Sequence, residues 1–205
     1  MARAGDVLEH PVTGEKVIWR RVAAETQGEL LQGDLFARPG GRPAAAHVHP
    51  TQEERFEVLT GTLTLCVDGE ERLLSQGDVA VITAGKSHVW WNAGDDEVHL
   101  LGEFRPALRT EMFFETFFGL ATDGKTNRKG LPNPVQLAVL MREYEDELHL
   151  ASPPLIARRR CSRRWRWLAG SSDTEVGIRG TAATHYPSEQ PNWCQGRSRA
   201  VGAEL

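Results

Sequence analysis

Long apolar runs are missing from this 205-residue chain, and that absence sets the first limits. No stretch approaches the roughly 18 consecutive apolar residues of a membrane span. Residues 1–6 run into charged positions without the apolar block of a secretory leader. Cysteine is scarce: Cys66, Cys161 and Cys194 are too few and too scattered for a disulfide framework, and no C-x-x-C pair occurs. Internal repeats of roughly 20–50 residues are also lacking. The net charge of −4 gives no general pull toward nucleic acid. These absences point to a soluble, cytoplasmic protein with neither a membrane partner nor a specific nucleic-acid partner.

What is present suffices for a core. Apolar residues make up 40% and charged residues 25%, a globular balance. The charge is divided unevenly. Residues 1–157 carry 15 basic and 24 acidic side chains, whereas residues 158–205 carry 9 Arg, no Lys and 4 acids. Two compositions therefore meet near Ala157, and the second, with Arg and Trp interleaved over 158–167, cannot build a core. Residues 158–205 are expected to form a basic, largely unordered tail.

From residue 7 to about 105 the texture is short β-like runs broken by turn residues. Pro11-Val12-Thr13-Gly14 and Asp68-Gly69 read as hairpin turns, and Gly77-Asp78 and Gly85-Lys86 as further breaks. About ten short strands at this spacing indicate an all-β sandwich or barrel over residues 1–106. After Pro106 the period changes. Met112, Phe113, Phe114, Phe117, Phe118 and Ala121 follow helical spacing, and Asn133 with Pro134 opens a second helix running to about His149. Two helices in a 107–157 extension are expected. The Phe stripe has three readings: a cap on a pocket, packing outside the barrel, or a dimer seam.

His47-Val48-His49 follows a Gly/Pro-rich break, and Glu53 and Glu54 lie just beyond. On an extended strand, residues i and i+2 share a face, so both imidazoles can enter one cavity. His88 on a later strand could join them across a sheet. Imidazole and carboxylate donors together suit a borderline divalent metal such as Fe, Mn, Zn or Ni.

These residues also carry a resemblance. Gly41-x5-His47-x-His49-x4-Glu54-x6-Gly61 resembles the first motif of the cupin superfamily at every spaced position. Gly77-x5-Thr83-x-Gly85-x2-His88-x3-Asn92 resembles the second, with Thr83 where the family usually has Pro. The motif core spans 41–92, and the resemblance covers roughly residues 28–106. It implies a cupin-type antiparallel jelly-roll β-barrel with a ligand pocket in its mouth, and it carries the metal ligands onto His47, His49, Glu54 and His88. Glu53 is a rival to Glu54. Parity favours Glu54, which shares a strand face with Phe56 and Val58. The same rule puts Trp90 and Asn92 inside with His88, so Phe56, Trp90 and Asn92 are the expected pocket residues.

Gly119-Leu120-Ala121-Thr122-Asp123-Gly124-Lys125-Thr126 satisfies the phosphate-loop pattern, but a Phe-rich helix precedes it and a Pro/Gly-rich stretch follows. The chemistry needs a strand before and a helix after, so a plain interhelical loop is expected. The functional expectation is one divalent ion with a small organic molecule as partner, in a metal-dependent oxidoreductase (dioxygenase-like) or isomerase. The alternative is a non-catalytic sensor. No catalytic residue is assigned; His99 and Glu103 on the last strand are the candidates for a pocket acid or base. A homodimer is expected from free strand edges and the Phe helix.

Overall fold

Alternation between apolar and polar residues is carried into backbone throughout residues 2–41 and 45–151, the part of the chain that the computed structural model describes. The strands are β1 (Val7–Glu9), β2 (Lys16–Arg21), β3 (Leu31–Ala37), β4 (His47–Val48), β5 (Glu53–Thr60) and β6 (Thr62–Val67). They continue with β7 (Glu70–Ser75), β8 (Val79–Ile82), β9 (Ser87–Trp91) and β10 (Val98–Arg105). Helices α1 (Thr110–Thr122) and α2 (Pro134–Glu143) and a short β11 (His149–Leu150) complete the order. All ladders are antiparallel and fall into two sheets, β1-β2-β3-β10-β5-β8 and β11-β4-β9-β6-β7. The long β3–β10 and β5–β10 pairings join chain ends to chain middle, which gives the jelly-roll architecture. No helix among the described residues is long and apolar enough to cross a membrane. The expected tail, 158–205, and the end of the helical extension lie outside the described residues.

The core shows how the barrel accommodates its largest rings. Trp19, Gly33, Gly102 and Phe56 are consecutive partners across β2, β3, β10 and β5. Two glycines thus separate two large aromatics in one inward-facing row. A Cβ on Gly33 would stand 2.9 Å from the Trp19 ring, and one on Gly102 2.7 Å from Leu35 Cδ1. The Trp19 ring in turn meets Phe114 of α1 edge to face at 5.7 Å, so it has little room to yield.

The helices are pinned to the barrel mouth. Gln52 Nε2 donates to the carbonyls of Pro106 and Ala107 and to Thr110 Oγ1, at 2.8, 3.1 and 2.8 Å. Glu111 accepts the Ala23 N–H, and the ring of His10 donates to the Gly130 carbonyl. Asn133 caps α2 by accepting from Val135 and Gln136, as its sequence predicts.

The second helix ends earlier than its sequence suggests. It stops at Glu143, and His149-Leu150 instead pair with β4. Glu143, Glu145, Asp146 and Glu147 would crowd the negative end of the helix dipole. The Tyr144 carbonyl takes the N–H groups of Glu147 and Leu148, turning the chain back toward the sheet. Gly119 lies within α1 and Gly124 closes it with φ +68°. A Thr126–Pro132 bridge follows, so no helix N-terminus faces the Gly119–Thr126 pattern.

Replacing Gly33 with Ala should overpack the Trp19 row and cost about 1–3 kcal/mol. A thermal melt should register this as a fall of roughly 2–4 °C for each kcal/mol.

Candidate metal centre and its cavity

Strand pairing brings the imidazoles together. His47 on β4 is the direct partner of His88 on β9, and His49 lies two residues on, with the same parity as His47. Glu54 arrives from β5 in the other sheet, on the face shared by buried Phe56 and Val58. Glu53, half-buried on the opposite face, stays out of the cluster. His47, His49, Glu54 and His88 are all buried, and each offers one ligand atom within 4.8 Å of the others.

The orientation of each ring is set by backbone. His47 Nδ1 lies 2.9 Å from the Ala45 carbonyl, His49 Nδ1 2.6 Å from that of Glu147, and His88 Nδ1 3.1 Å from that of Lys86. A carbonyl can only accept, so each Nδ1 carries hydrogen. In the neutral ring the Nε2 lone pair is then left as the donor toward a metal. His49 Nε2, His88 Nε2 and Glu54 Oε2 are buried without a hydrogen-bond partner. Glu54 Oε2 stands 2.7 Å from His88 Nε2, but without the alignment of a hydrogen bond, and 3.6 Å from His49 Nε2. Orphaned polar atoms at this depth are costly, and three nitrogens with one carboxylate are the donor set a borderline divalent cation takes. The residues present fit such an ion.

The buried groups of the cluster also act on one another's charge. Burial, reinforced by His88 and His49, pushes the His47 pKa down to about 3, which keeps this ring neutral. Burial alone would raise Glu54, but His88 and His49 hold it below the ordinary carboxylate range. His88 is the counterpart: burial opposes its charge, and Glu54 raises its pKa overall.

Above the cluster opens a cavity of about 260 Å³. Its wall is mostly apolar, with Trp90 and Phe104 from the barrel and Phe113, Phe114, Phe117 and Phe118 from α1 beside aliphatic side chains. The Phe stripe thus caps the pocket. Two buried acids, missed in the sequence, also line it. Glu147 accepts the N–H and Nε–H of Arg109 at one oxygen and leaves the other unpartnered. Glu15, just before β2, shares the inward parity of Val17 and Trp19, and burial raises its pKa to about 8. An acid on an otherwise apolar inward face was the available signal for Glu15.

Of the expected pocket residues, Trp90 lines the cavity, whereas Phe56 and Asn92 do not. Phe56 is covered by Trp90, its ring centroid 5.8 Å away, and belongs to the packed core. The Asn92 side chain is engaged by backbone: it donates to the carbonyls of Ala37 and Asp96 and accepts from Gly94. His99 and Glu103 lie on the outer face of β10, away from the cavity. His99 Nε2 is 2.6 Å from Asp34, and Glu103 is bound by Gln32 and Arg105.

With fold and site in view, residues 35–102 match the family model of the cupin domain, and that stretch is a cupin domain. It is similar to quercetin 2,3-dioxygenase of Bacillus subtilis (strain 168), at 41% identity over 81 residues. That match covers 37% of this chain and 24% of the relative, so the chain spans about a quarter of the curated relative's length. Among solved structures, it resembles a predicted oxalate decarboxylase from Thermotoga maritima (17% identity, TM-score 0.45, 52% of this chain and 98% of that one). It also resembles KdgF from Halomonas sp. (21%, TM-score 0.42, 48% and 84%). A third is a sugar phosphate isomerase from Silicibacter pomeroyi (24%, TM-score 0.41, 46% and 60%).

The outer network yields a pH prediction. Burial would raise Asp34, but hydrogen bonds from Arg20, at 2.6 and 2.7 Å, and from His99 lower its pKa overall. A lowered carboxylate stabilises the fold above its unfolded pKa, near 4, and loses that contribution as pH falls through the folded value. Asp34→Asn should therefore be about 1–2 kcal/mol less stable than wild type at pH 7, Arg20 being partly exposed. In urea titrations the gap should narrow at pH 3.

Proposed function

We propose that the chain holds one divalent metal ion on His47, His49, Glu54 and His88 and acts on a small, ring-bearing organic molecule as a metal-dependent oxidoreductase of dioxygenase type. The observation that carries this reading is the convergence of three carbonyl-oriented imidazoles and one carboxylate, of which His47, His49 and Glu54 line an apolar cavity rich in phenylalanine. The chain's similarity to a quercetin 2,3-dioxygenase over 81 residues supports the same direction. The isomerase reading is weaker for sugar phosphates: no Arg or Lys lines the cavity among the described residues, and a buried phosphate needs such partners.

Bound there, a divalent ion supplies Lewis acidity, and a redox-active one such as Fe an electron couple as well. The chain's own part is threefold. His47, His49 and His88 present nitrogen donors at fixed angles because their other ring nitrogens are engaged. Phe113, Phe114, Phe117 and Phe118 exclude water from the cavity and offer ring faces to a flat ligand. Trp90 and Phe104 complete that sleeve from the barrel side. A non-catalytic ligand-binding module would use the same sleeve and the same four residues, and turnover separates the two.

Elemental analysis of protein purified without added metal should find close to one divalent ion per chain. His49→Ala should lose metal affinity by more than the roughly 10–100-fold that follows loss of a supporting hydrogen bond, while Lys125→Ala keeps it. Full occupancy in the His49 variant would overturn the site. Oxygen uptake with flavonols and catechols is the functional readout; binding of these compounds without uptake would leave the binding-module reading.

A further inference from the structure

The cavity contains one polar group that neither the metal cluster nor the fold employs. Glu15 is only 5% exposed, and its carboxyl lines the cavity. No hydrogen bond or ion pair reaches that carboxyl among the described residues. Its backbone is fully used, the N–H by Thr13 Oγ1 and the carbonyl by the His10 N–H, so the β1–β2 hairpin holds it rigidly. In the sheet order it stands three strands from Glu54, at the entry to β2 rather than on β5. It therefore marks a different part of the wall from the metal cluster. A carboxyl in such an apolar setting costs stability unless a hydrogen bond satisfies it.

We infer that Glu15 selects the cavity's ligand: its carboxyl hydrogen-bonds a hydroxyl or carbonyl group on an aromatic molecule whose rings lie among the α1 phenylalanines. Among the described residues, the other titratable groups of the wall are Glu54, Glu147, His47 and His49, all part of the cluster or bonded to it. On its own hairpin His10 is turned to Gly130, and Arg38 reaches Glu9. Among the described residues no cation pairs with Glu15, and burial raises its pKa to about 8. Burial favours its protonated form, in which the carboxyl is both donor and acceptor. The ligand class follows: a planar molecule that is mostly apolar, uncharged at the Glu15 end, and bearing one polar substituent there. This deepens the metal-and-cavity reading by naming the second contact, but the contact itself does not require the metal.

Calorimetric titration of the full chain with 2-naphthol and with naphthalene tests the assignment. Wild type should bind 2-naphthol about fivefold more tightly, the value of one net neutral hydrogen bond. Glu15→Gln should retain most of that preference. Glu15→Met and Glu15→Leu should bind both probes alike and melt no lower than wild type, since each removes an unsatisfied polar group. A preference that survives in the Met and Leu variants, or is absent from wild type, overturns the inference. Metal content measured on the same samples keeps the two readings apart. A Glu15-dependent preference in protein that holds no metal sustains this inference and removes the metal reading. A full metal complement without the preference does the reverse.

Discussion

Everything at the centre depends on three hydrogen bonds from imidazole Nδ1 to backbone carbonyls. An imidazole has two nitrogens of nearly equal basicity, and only a fixed partner on one makes the other a dependable donor. Ala45 and Lys86 supply two of these partners from positions two residues earlier in the chain, just before the strands that carry the rings. Glu147 supplies the third from the segment that follows α2. The barrel orients two ligands by itself; the helical extension is needed for the third. Helices that look like an addition to a finished barrel therefore belong to the site.

The barrel was legible in the sequence because its signals are local. Period-two alternation, Asp68-Gly69 and the spaced glycines each act within a few residues, and parity alone separated Glu54 from Glu53. The clustering of His47, His49 and His88 was legible for the same reason, given two strands of known face. What escaped were pairings between distant segments. Nothing local announces that His149-Leu150 will join β4, since two residues carry almost no periodicity. Nothing near His49 names Glu147 as its partner. Asn92 shows the converse limit: parity put it inside, but an amide near a turn satisfies backbone groups before it faces a ligand.

The cavity combines two opposed demands. Apolar walls shape a space in the barrel mouth, yet every ionisable group they enclose is deprived of solvent. The chain resolves this differently for each acid. Glu54 is held ionised by the imidazoles beside it, Glu147 accepts from Arg109, and Glu15 takes a proton. Three carboxyls line one small space without three charges needing counterions there.

The bond between His49 and Glu147 spans 98 residues of chain, and this has a consequence for the order of events during synthesis. At the pace of translation, roughly 5–20 residues per second, those residues separate the two partners by several seconds or more. During that interval the strands carrying His47 and His49 can emerge while the third orienting carbonyl does not yet exist. The ring of His49 is then free to present either nitrogen, and the mouth of the barrel has no lid. A nascent chain at this stage carries the clustered imidazoles without the carbonyl that orients His49. Assembly of the site is thereby deferred until the segment that encloses it has been made.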